Sequence, residues 1–124
     1  QQWMDELGET CEFPEDTPLQ TLGLSEWKEK EGTIRPLRTA GELMEESRAM
    51  SHCVASMARR GIDGRAVFLH GELHGAPVTL EVRPDAKAGG FRIVEAKGER
   101  NRQLNRTERS VARRWLRSVN GETS

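Results

Sequence analysis

Apolar residues in the middle of the chain recur with the period of an amphipathic helix. Thr39 and Glu42 match a capping box just before this pattern, and Gly61 offers a stop after it. We therefore predict a helix over residues 40–60. One face of this helix would carry four apolar side chains at helical spacing: Leu43, Met50, Val54 and Met57.

Three runs of alternating apolar and polar residues follow, and each has the period of a strand. They span residues 65–70, 78–83 and 91–96. Stretches rich in turn residues at 71–75 and 85–90 separate them, and connections this short favour an antiparallel meander. The sequence therefore predicts three neighbouring antiparallel strands.

A second helix is predicted near the C-terminus, with Thr107 as its cap. Its apolar face would carry Val111, Trp115 and Val119. The order of elements predicts an α+β fold: a helix, a three-stranded antiparallel meander and a helix, with a short acidic segment at the N-terminus. We expect both helices to pack on one face of the small sheet.

Two units are predicted along the chain. Residues 1–33 form the acidic N-terminal segment, where a lack of sustained periodicity indicates coil with one or two short helices. Residues 34–120 form the α+β domain, and residues 33–37 are its extended entry, because the residue before Pro36 avoids the helical conformation. The chain begins with Gln1 rather than Met, so we expect the acidic segment to be the end of an upstream region.

The composition fits a single polar domain of 124 residues, with 35% apolar and 31% charged side chains. No apolar run approaches the roughly 20 residues that cross a bilayer, so no membrane partner is expected. Cys11 and Cys53 stand at unrelated positions and permit one disulfide at most, which favours a reduced, cytoplasmic protein. We expect no cofactor and no metal, because a structural zinc site needs four ligands and no CxxC pair occurs.

Charge is distributed unevenly along the chain. Residues 1–31 carry nine acidic side chains against two lysines, whereas residues 83–117 carry eleven basic side chains against four acidic ones. This asymmetry indicates either a basic binding surface or docking of the acidic segment on that surface. Arginine, which favours forked bonds to phosphate, dominates the basic half, so a row of arginines is our candidate nucleic-acid-binding surface, with an ordinary solvated surface as the alternative. The row consists of Arg102, Arg106, Arg109, Arg113 and Arg117.

His52 and Cys53 place an imidazole beside a thiol in the first predicted helix. A free cysteine on an apolar helix face commonly packs as a small hydrophobe, and that interpretation stands beside a catalytic one. Successive helix residues point about 100° apart, so His52 is not automatically the base for Cys53. A helix-borne cysteine followed by a strand-borne histidine and an acid is the chain order of papain-like and transglutaminase-like enzymes. The later positions have four candidates: His70, His74, Glu81 and Glu95.

Three further residues, Glu46, Gly98 and Asn101, join Glu95 as candidates for a polar site. Glu46 lies two turns before Cys53 on one side of the predicted helix. Glu81 lies on the polar side of its strand, which is either a solvated face or one wall of a cleft. In the connection before the last helix, Gly98 suits a positive φ or a close backbone approach, and Asn101 can bond to its own turn.

Three segments together resemble the PcfJ-like family, which is named for a protein encoded in a conjugative plasmid transfer region. Residues 46–54 resemble the pattern E-G-x-x-L-x-H-C-V, residues 79–81 are Thr-Leu-Glu, and residues 95–101 resemble Q-x-x-G-x-x-N. The similarity covers about residues 34–117. Ser47 stands where glycine is common, and a glutamate replaces the glutamine that opens the third segment.

The resemblance implies a domain of plasmid, phage and other mobile-element proteins, and no particular activity. Its motifs place a candidate site at His52, Cys53, Glu81, Gly98 and Asn101 but assign no catalytic roles. Our own catalytic candidates are His52, Cys53 and Glu81, and our polar-site candidates are Glu46, Glu95, Gly98 and Asn101. Our first hypothesis is a nucleic-acid-associated accessory domain that uses the arginine row for phosphate contacts, with nucleic acid and other mobile-element proteins as partners. The alternatives are a cysteine-dependent hydrolase or transferase with Cys53 as nucleophile, and a protein-interaction domain.

Overall fold

A computed structural model of the protein describes residues 14, 16–50, 60–87 and 89–121. Five strands form one antiparallel sheet in chain order: β1 (Trp27–Glu29), β2 (Gly32–Pro36), β3 (Val67–Leu73), β4 (Ala76–Asp85) and β5 (Gly90–Gly98). The longer helices are α1 (Ala40–Met50) and α2 (Arg106–Val119), residues 60–62 are also helical, and a 3₁₀ turn (Glu99–Asn101) follows β5. The predicted α+β class is confirmed.

The sheet has two more strands than the predicted three-stranded meander. β1 and β2 pair as a hairpin, in which Trp27 lies opposite Ile34, and β2 pairs in turn with β3. The boundary predicted between residues 33 and 34 therefore falls inside β2, and the end of the acidic segment is a strand rather than coil. Three residues are too few to display the alternation that identifies a strand, which explains why β1 was missed.

The two helices cover opposite faces of the sheet, so the prediction that both lie on one face was wrong. Side chains alternate between the two faces along a strand. Leu69 and Leu80 pack in one apolar cluster with Trp115 of α2, whereas Phe68 packs in a second cluster with Leu43 of α1. β3 begins with consecutive buried residues and therefore needs cover on both sides.

The turn between β3 and β4 is shorter than predicted. Only His74 and Gly75 form it, with φ angles of 51° and 80°, and a two-residue hairpin turn of this kind requires positive φ at both positions. Gly71 lies within β3. A Cβ atom there would stand 3.0 Å from Val78 Cγ2 and 3.3 Å from Ile34 Cγ1, so close packing between strands selects glycine at this position.

The start of α1 is as predicted, and residues 51–59 of the predicted helix lie outside the described residues. Thr39 Oγ1 accepts a hydrogen bond from the Glu42 N–H at 3.2 Å, while the Glu42 carboxylate accepts from the N–H of Arg38 at 2.9 Å. Residues 51–59, which include His52 and Cys53, are not described. Gly61 is not the stop that was predicted, because residues 60–62 are helical and the positive φ of 78° belongs to Gly64.

The cap of α2 is Asn105 rather than Thr107. The Asn105 side chain accepts from the Glu108 N–H at 2.9 Å, and the Glu108 carboxylate accepts from the Asn105 N–H at 2.8 Å, which completes a capping box. Thr107 donates its hydroxyl hydrogen to the Asn105 side chain at 2.8 Å. The predicted apolar face is confirmed, since Val111 and Trp115 are buried.

We expect Asn105→Ala to lower the free energy of unfolding by about 1–2 kcal/mol, because the first turn of α2 loses its side-chain acceptor. Thr107→Ala is the matched control and should cost clearly less, since Thr107 supports the cap only through Asn105. Urea denaturation of both variants measures the difference. Equal losses would mean that Asn105 is not the cap in solution.

Candidate functional site

Four polar side chains form a hydrogen-bonded cluster between α1 and the sheet. Glu46 comes from α1 and is only 6% exposed. His70 and Glu72 stand two residues apart on β3 and therefore point to one face. Thr79 of β4 is the register partner of His70, so its side chain points to the same face. Strand alternation and strand register thus bring all four groups together beneath one helix.

Short contacts connect the members of this cluster. His70 Nδ1 lies 2.8 and 2.9 Å from the two carboxylate oxygens of Glu46, and His70 Nε2 lies 2.6 Å from Glu72 Oε2. Thr79 donates its hydroxyl hydrogen to Glu46 Oε2 at 2.5 Å. A buried carboxylate is costly unless such donors satisfy it, and these contacts compensate for the burial of Glu46.

The surroundings of His70 favour a proton on each ring nitrogen, because both nitrogens face carboxylate oxygens. The hydrogen bond to Glu46 raises the pKa of His70 above its ordinary value, burial of the ring acts in the opposite direction, and Glu72 adds to the rise. Both nitrogens then donate to carboxylates. The charged imidazole has no lone pair with which to accept a proton, so this geometry suits a positioning role better than general-base catalysis.

Glu81 of β4 lies on the same face of the sheet, is 7% exposed and is bound by two arginines. Arg60 Nε and Nη2 each donate to it at 3.3 Å, and Arg83 Nε and Nη2 donate at 3.2 and 3.1 Å. The Arg60 guanidinium also lies 5.7 Å from the centre of the Phe68 ring. Glu81 is therefore not part of a solvated strand face. Its oxygens already accept four donated bonds, which leaves little capacity for accepting a proton from a substrate.

The connection after β5 contains two residues with left-handed backbone, Arg100 and Asn101, at φ angles of 55° and 63°. Gly98 has φ −85°, so its predicted positive φ was wrong and the alternative, close approach, applies. A Cβ atom on Gly98 would stand 2.6 Å from Arg102 Nη2, because the Arg102 guanidinium covers this glycine. Left-handed residues other than glycine are costly and often occur at functional turns.

The structure brings most of the described candidate residues to one side of the sheet. Glu46 and Glu81 both lie beneath the α1 layer, in separate groups of partners. Glu95 is exposed on β5 and is the register partner of Glu81. The 3₁₀ turn with Asn101 lies against α1. His52 and Cys53 are outside the described residues, so the complete three-segment site stays a prediction.

Sequence reasoning missed three residues that contact the candidate site residues. Arg60, Glu72 and Thr79 were not proposed as site residues, although each contacts a candidate that was. The spacing of Glu72 from His70 was a usable signal, because residues two apart on a strand share a face. The contact of Arg60 with Glu81 has no comparable signal, since it depends on how the helical residues 60–62 lie over β4.

Two members of the arginine row, Arg102 and Arg109, have hydrogen-bond partners within the fold. Arg102 donates to both carboxylate oxygens of Glu108 at 2.9 Å, and Glu108 is 2% exposed. This pairing lowers the pKa of Glu108 and keeps it charged. Arg109 donates to the Leu104 carbonyl at 2.6 Å. Arg102 and Arg109 are thus used within the fold, and their contact with nucleic acid stays a prediction.

A further arginine links α2 to the acidic part of the chain. Arg114 Nη2 contacts Glu29 Oε1 at 2.8 Å and also contacts the Glu31 carboxylate. The pairing lowers the pKa of Glu31, chiefly through its hydrogen bond with Arg114. The last two acidic residues of the N-terminal segment therefore dock on the basic helix, which is one of the arrangements that the charge asymmetry indicated.

Fold and site define a small α+β domain in which helices cover both faces of an antiparallel sheet and one covered face holds paired polar groups. The family model described as PcfJ-like protein matches residues 13–112. The chain therefore belongs to the PcfJ-like family. No curated protein and no solved structure in the comparisons matches it.

Two observations bear on other classes of site. Within the described part of the chain, no helix is long and apolar enough to cross a membrane. In that same part, no three side chains of the metal-binding types are arranged to hold an ion. His70 and His74 are four residues apart in sequence, but both ring nitrogens of His70 contact carboxylates and His74 lies in the hairpin turn.

We expect Arg102→Gln to destabilise the domain, because the buried Glu108 carboxylate would lose its charged partner. Arg106→Gln is the matched control: Arg106 is exposed at the start of α2, and its replacement should leave the denaturation midpoint almost unchanged. Urea denaturation at pH 7 measures both variants. A midpoint for Arg102→Gln equal to that of Arg106→Gln would contradict a structural role for Arg102.

Proposed function

We propose that this domain binds the phosphate backbone of nucleic acid through the outward face of α2, as an accessory domain of a plasmid or phage mobile element. The observation that carries the proposal is the surface formed by Arg106, Arg113 and Arg117, called here the arginine stripe. All three are exposed, and none forms an ion pair with another residue in the described part of the chain.

The geometry of the helix aligns these three side chains. At 100° per residue they fall within an arc of about 40°, on the side opposite the buried Trp115. Along the helix axis they are about 10 Å and about 6 Å apart. A straight row of guanidinium groups over this length suits several consecutive phosphates, each of which accepts forked hydrogen bonds from arginine.

The neighbours of the arginine stripe favour an anionic partner. The acidic residue of α2, Glu108, is buried on the other side and is already paired with Arg102. Ser110 is also exposed and lies about 40° from the centre of the arginine stripe, where its hydroxyl group can donate to phosphate. The outward face of α2 therefore combines positive charge with hydrogen-bond donors and carries no competing carboxylate.

The same face indicates contact with the backbone rather than with the bases. It presents no aromatic side chain, since Trp115 points into the core, so stacking with unpaired bases is not expected. It presents no asparagine or glutamine of the kind that reads adenine. Phosphate contacts position a nucleic acid without reading its sequence, so we expect weak sequence preference.

The described residues give less support to the cysteine-dependent enzyme. That hypothesis needs a histidine able to accept a proton from Cys53 and an acid to orient that histidine. Both ring nitrogens of His70 are engaged by carboxylates, and the oxygens of Glu81 are bound by Arg60 and Arg83. The arginine stripe, in contrast, needs no rearrangement to bind an anion.

Binding of a labelled duplex to the whole chain, measured by fluorescence anisotropy across a salt series, tests the proposal. The variant pair Arg113→Gln with Arg117→Gln should weaken binding and lower the slope of log affinity against log salt by about 2, because two phosphate contacts are lost. A second variant pair, Arg48→Gln with Arg65→Gln, changes net charge equally at exposed arginines elsewhere. It should keep the slope of the unmodified protein.

Two outcomes would overturn the proposal. One is absence of duplex binding by the unmodified protein at low salt. The other is an equal loss of affinity in both variant pairs, because it would show that overall charge, rather than the arginine stripe, determines binding. Denaturation curves of the two variant pairs establish that each is folded under the conditions of the assay.

A further inference from the structure

We propose that His70 acts as a pH-sensitive lock that holds α1 against the sheet. The lock is the chain of contacts from Glu46 of α1 through His70 of β3 to Glu72. His70 is a positioning residue in this proposal, since it joins two elements and is given no role in chemistry. The proposal is independent of nucleic-acid binding, because α2 lies on the opposite face of the sheet.

The lock depends on the charge of the imidazole. With both nitrogens protonated, His70 donates to Glu46 at 2.8–2.9 Å and to Glu72 at 2.6 Å. Loss of one proton leaves a lone pair facing a carboxylate at the same short distance, so one of the two contacts becomes repulsive. If the contact with Glu46 is lost, this buried carboxylate keeps the Thr79 hydroxyl as its described donor. A buried carboxylate with one donor is poorly stabilised, so the free energy of docking α1 against the sheet becomes less favourable.

Among the described residues, His70 is the cation that contacts Glu46. From α1 it faces Glu46, from its own strand Glu72, and from β4 the neutral Thr79. From β2 it faces its register partner Arg35, whose side chain is about half exposed and pairs with Glu42 at 3.9 Å. Lys97 of β5 lies one strand beyond Thr79, and the structure gives it no contact with Glu46. Two carboxylates thus share one imidazolium.

The direction of the pH effect follows from the raised pKa of His70. Below its ordinary value of 6.5 the imidazole is protonated whether α1 is docked or not, and the lock contributes fully. As pH rises from 6.5 through the raised pKa, undocking releases a proton, so the equilibrium between docked and undocked α1 shifts towards the undocked form by up to about tenfold per pH unit. The lock is therefore closed below pH 6.5 and opens as the pH rises through the raised pKa of His70.

Opening is expected to be local. Leu43, earlier in α1, is fully buried in the apolar cluster with Phe68, and that contact does not depend on pH. Glu46 lies one turn nearer to the end of α1 at Met50, and the sequence continues from there into His52 and Cys53. The lock would therefore act on the second half of α1, which carries Glu46, the first residue of the family motif.

Amide hydrogen exchange of the whole chain, followed by NMR across the titration of His70, tests the lock. Exchange rates of α1 amides, divided by those of α2 amides in the same sample, should rise as His70 loses its proton. His70→Gln should remove this pH dependence and give more exchange in α1 at acidic pH. His74→Gln is the matched control and should behave as the unmodified protein, because His74 lies in the exposed hairpin turn.

The proposal is overturned if the α1 to α2 ratio stays constant across the titration of His70, or if His70→Gln retains the original pH dependence. Glu72→Gln provides a second test should His70→Gln not fold, since Glu72 is 47% exposed and its replacement is mild. In that variant the NMR titration midpoint of His70 should fall, and the rise in α1 exchange should move to lower pH with it. A midpoint that does not move would also contradict the proposal.

Discussion

The structure depends on one constraint: the central strands β3 and β4 are covered on both faces. On the α2 side this is met by apolar packing of Leu69 and Leu80 against Trp115. On the α1 side, strand alternation also brings His70, Thr79 and Glu81 under cover, where unpaired polar groups would be costly. The hydrogen bonds of Glu46 and the paired arginines of Glu81 follow from that requirement. The polar cluster is thus a condition of the fold as well as a candidate site.

The same constraint separates the arginines into structural and available ones. Arg60, Arg83 and Arg102 each accompany a buried carboxylate. Removing Arg102 would leave Glu108 without its charged partner, whereas Glu81 would keep one of its two arginines. In the described part of the chain, Arg106, Arg113 and Arg117 accompany no carboxylate. Their charge contributes little to folding, which makes it available for a partner. A high content of arginine alone is therefore weak evidence for nucleic-acid binding, and the unpaired subset is the informative part.

Local patterns predicted much of the fold and less of the site. Periodicities within a few residues predicted the start of α1, the strands β3 to β5 and the apolar face of α2. The strand β1 was too short to show one, and the opposite placement of the helices depends on contacts between distant segments. The capping box of Asn105 with Glu108 was visible as an N-x-x-E pattern but was passed over in favour of Thr107. The pairing of Arg102 was hidden because no sequence pattern indicates that Glu108 is buried.

The two proposed functional surfaces lie on opposite faces of the sheet. The described family-motif residues Glu46 and Glu81 lie on the α1 side, whereas the arginine stripe lies on α2. One element reaches both sides: the β1–β2 hairpin holds Arg114 of α2 through Glu29 and Glu31, and its β2 strand places Arg35 beside His70. Because these contacts leave the arginine stripe untouched, movement of α1 has no direct route to it. The family-motif residues on the α1 side and the basic surface on α2 are therefore best understood as separate properties of one fold.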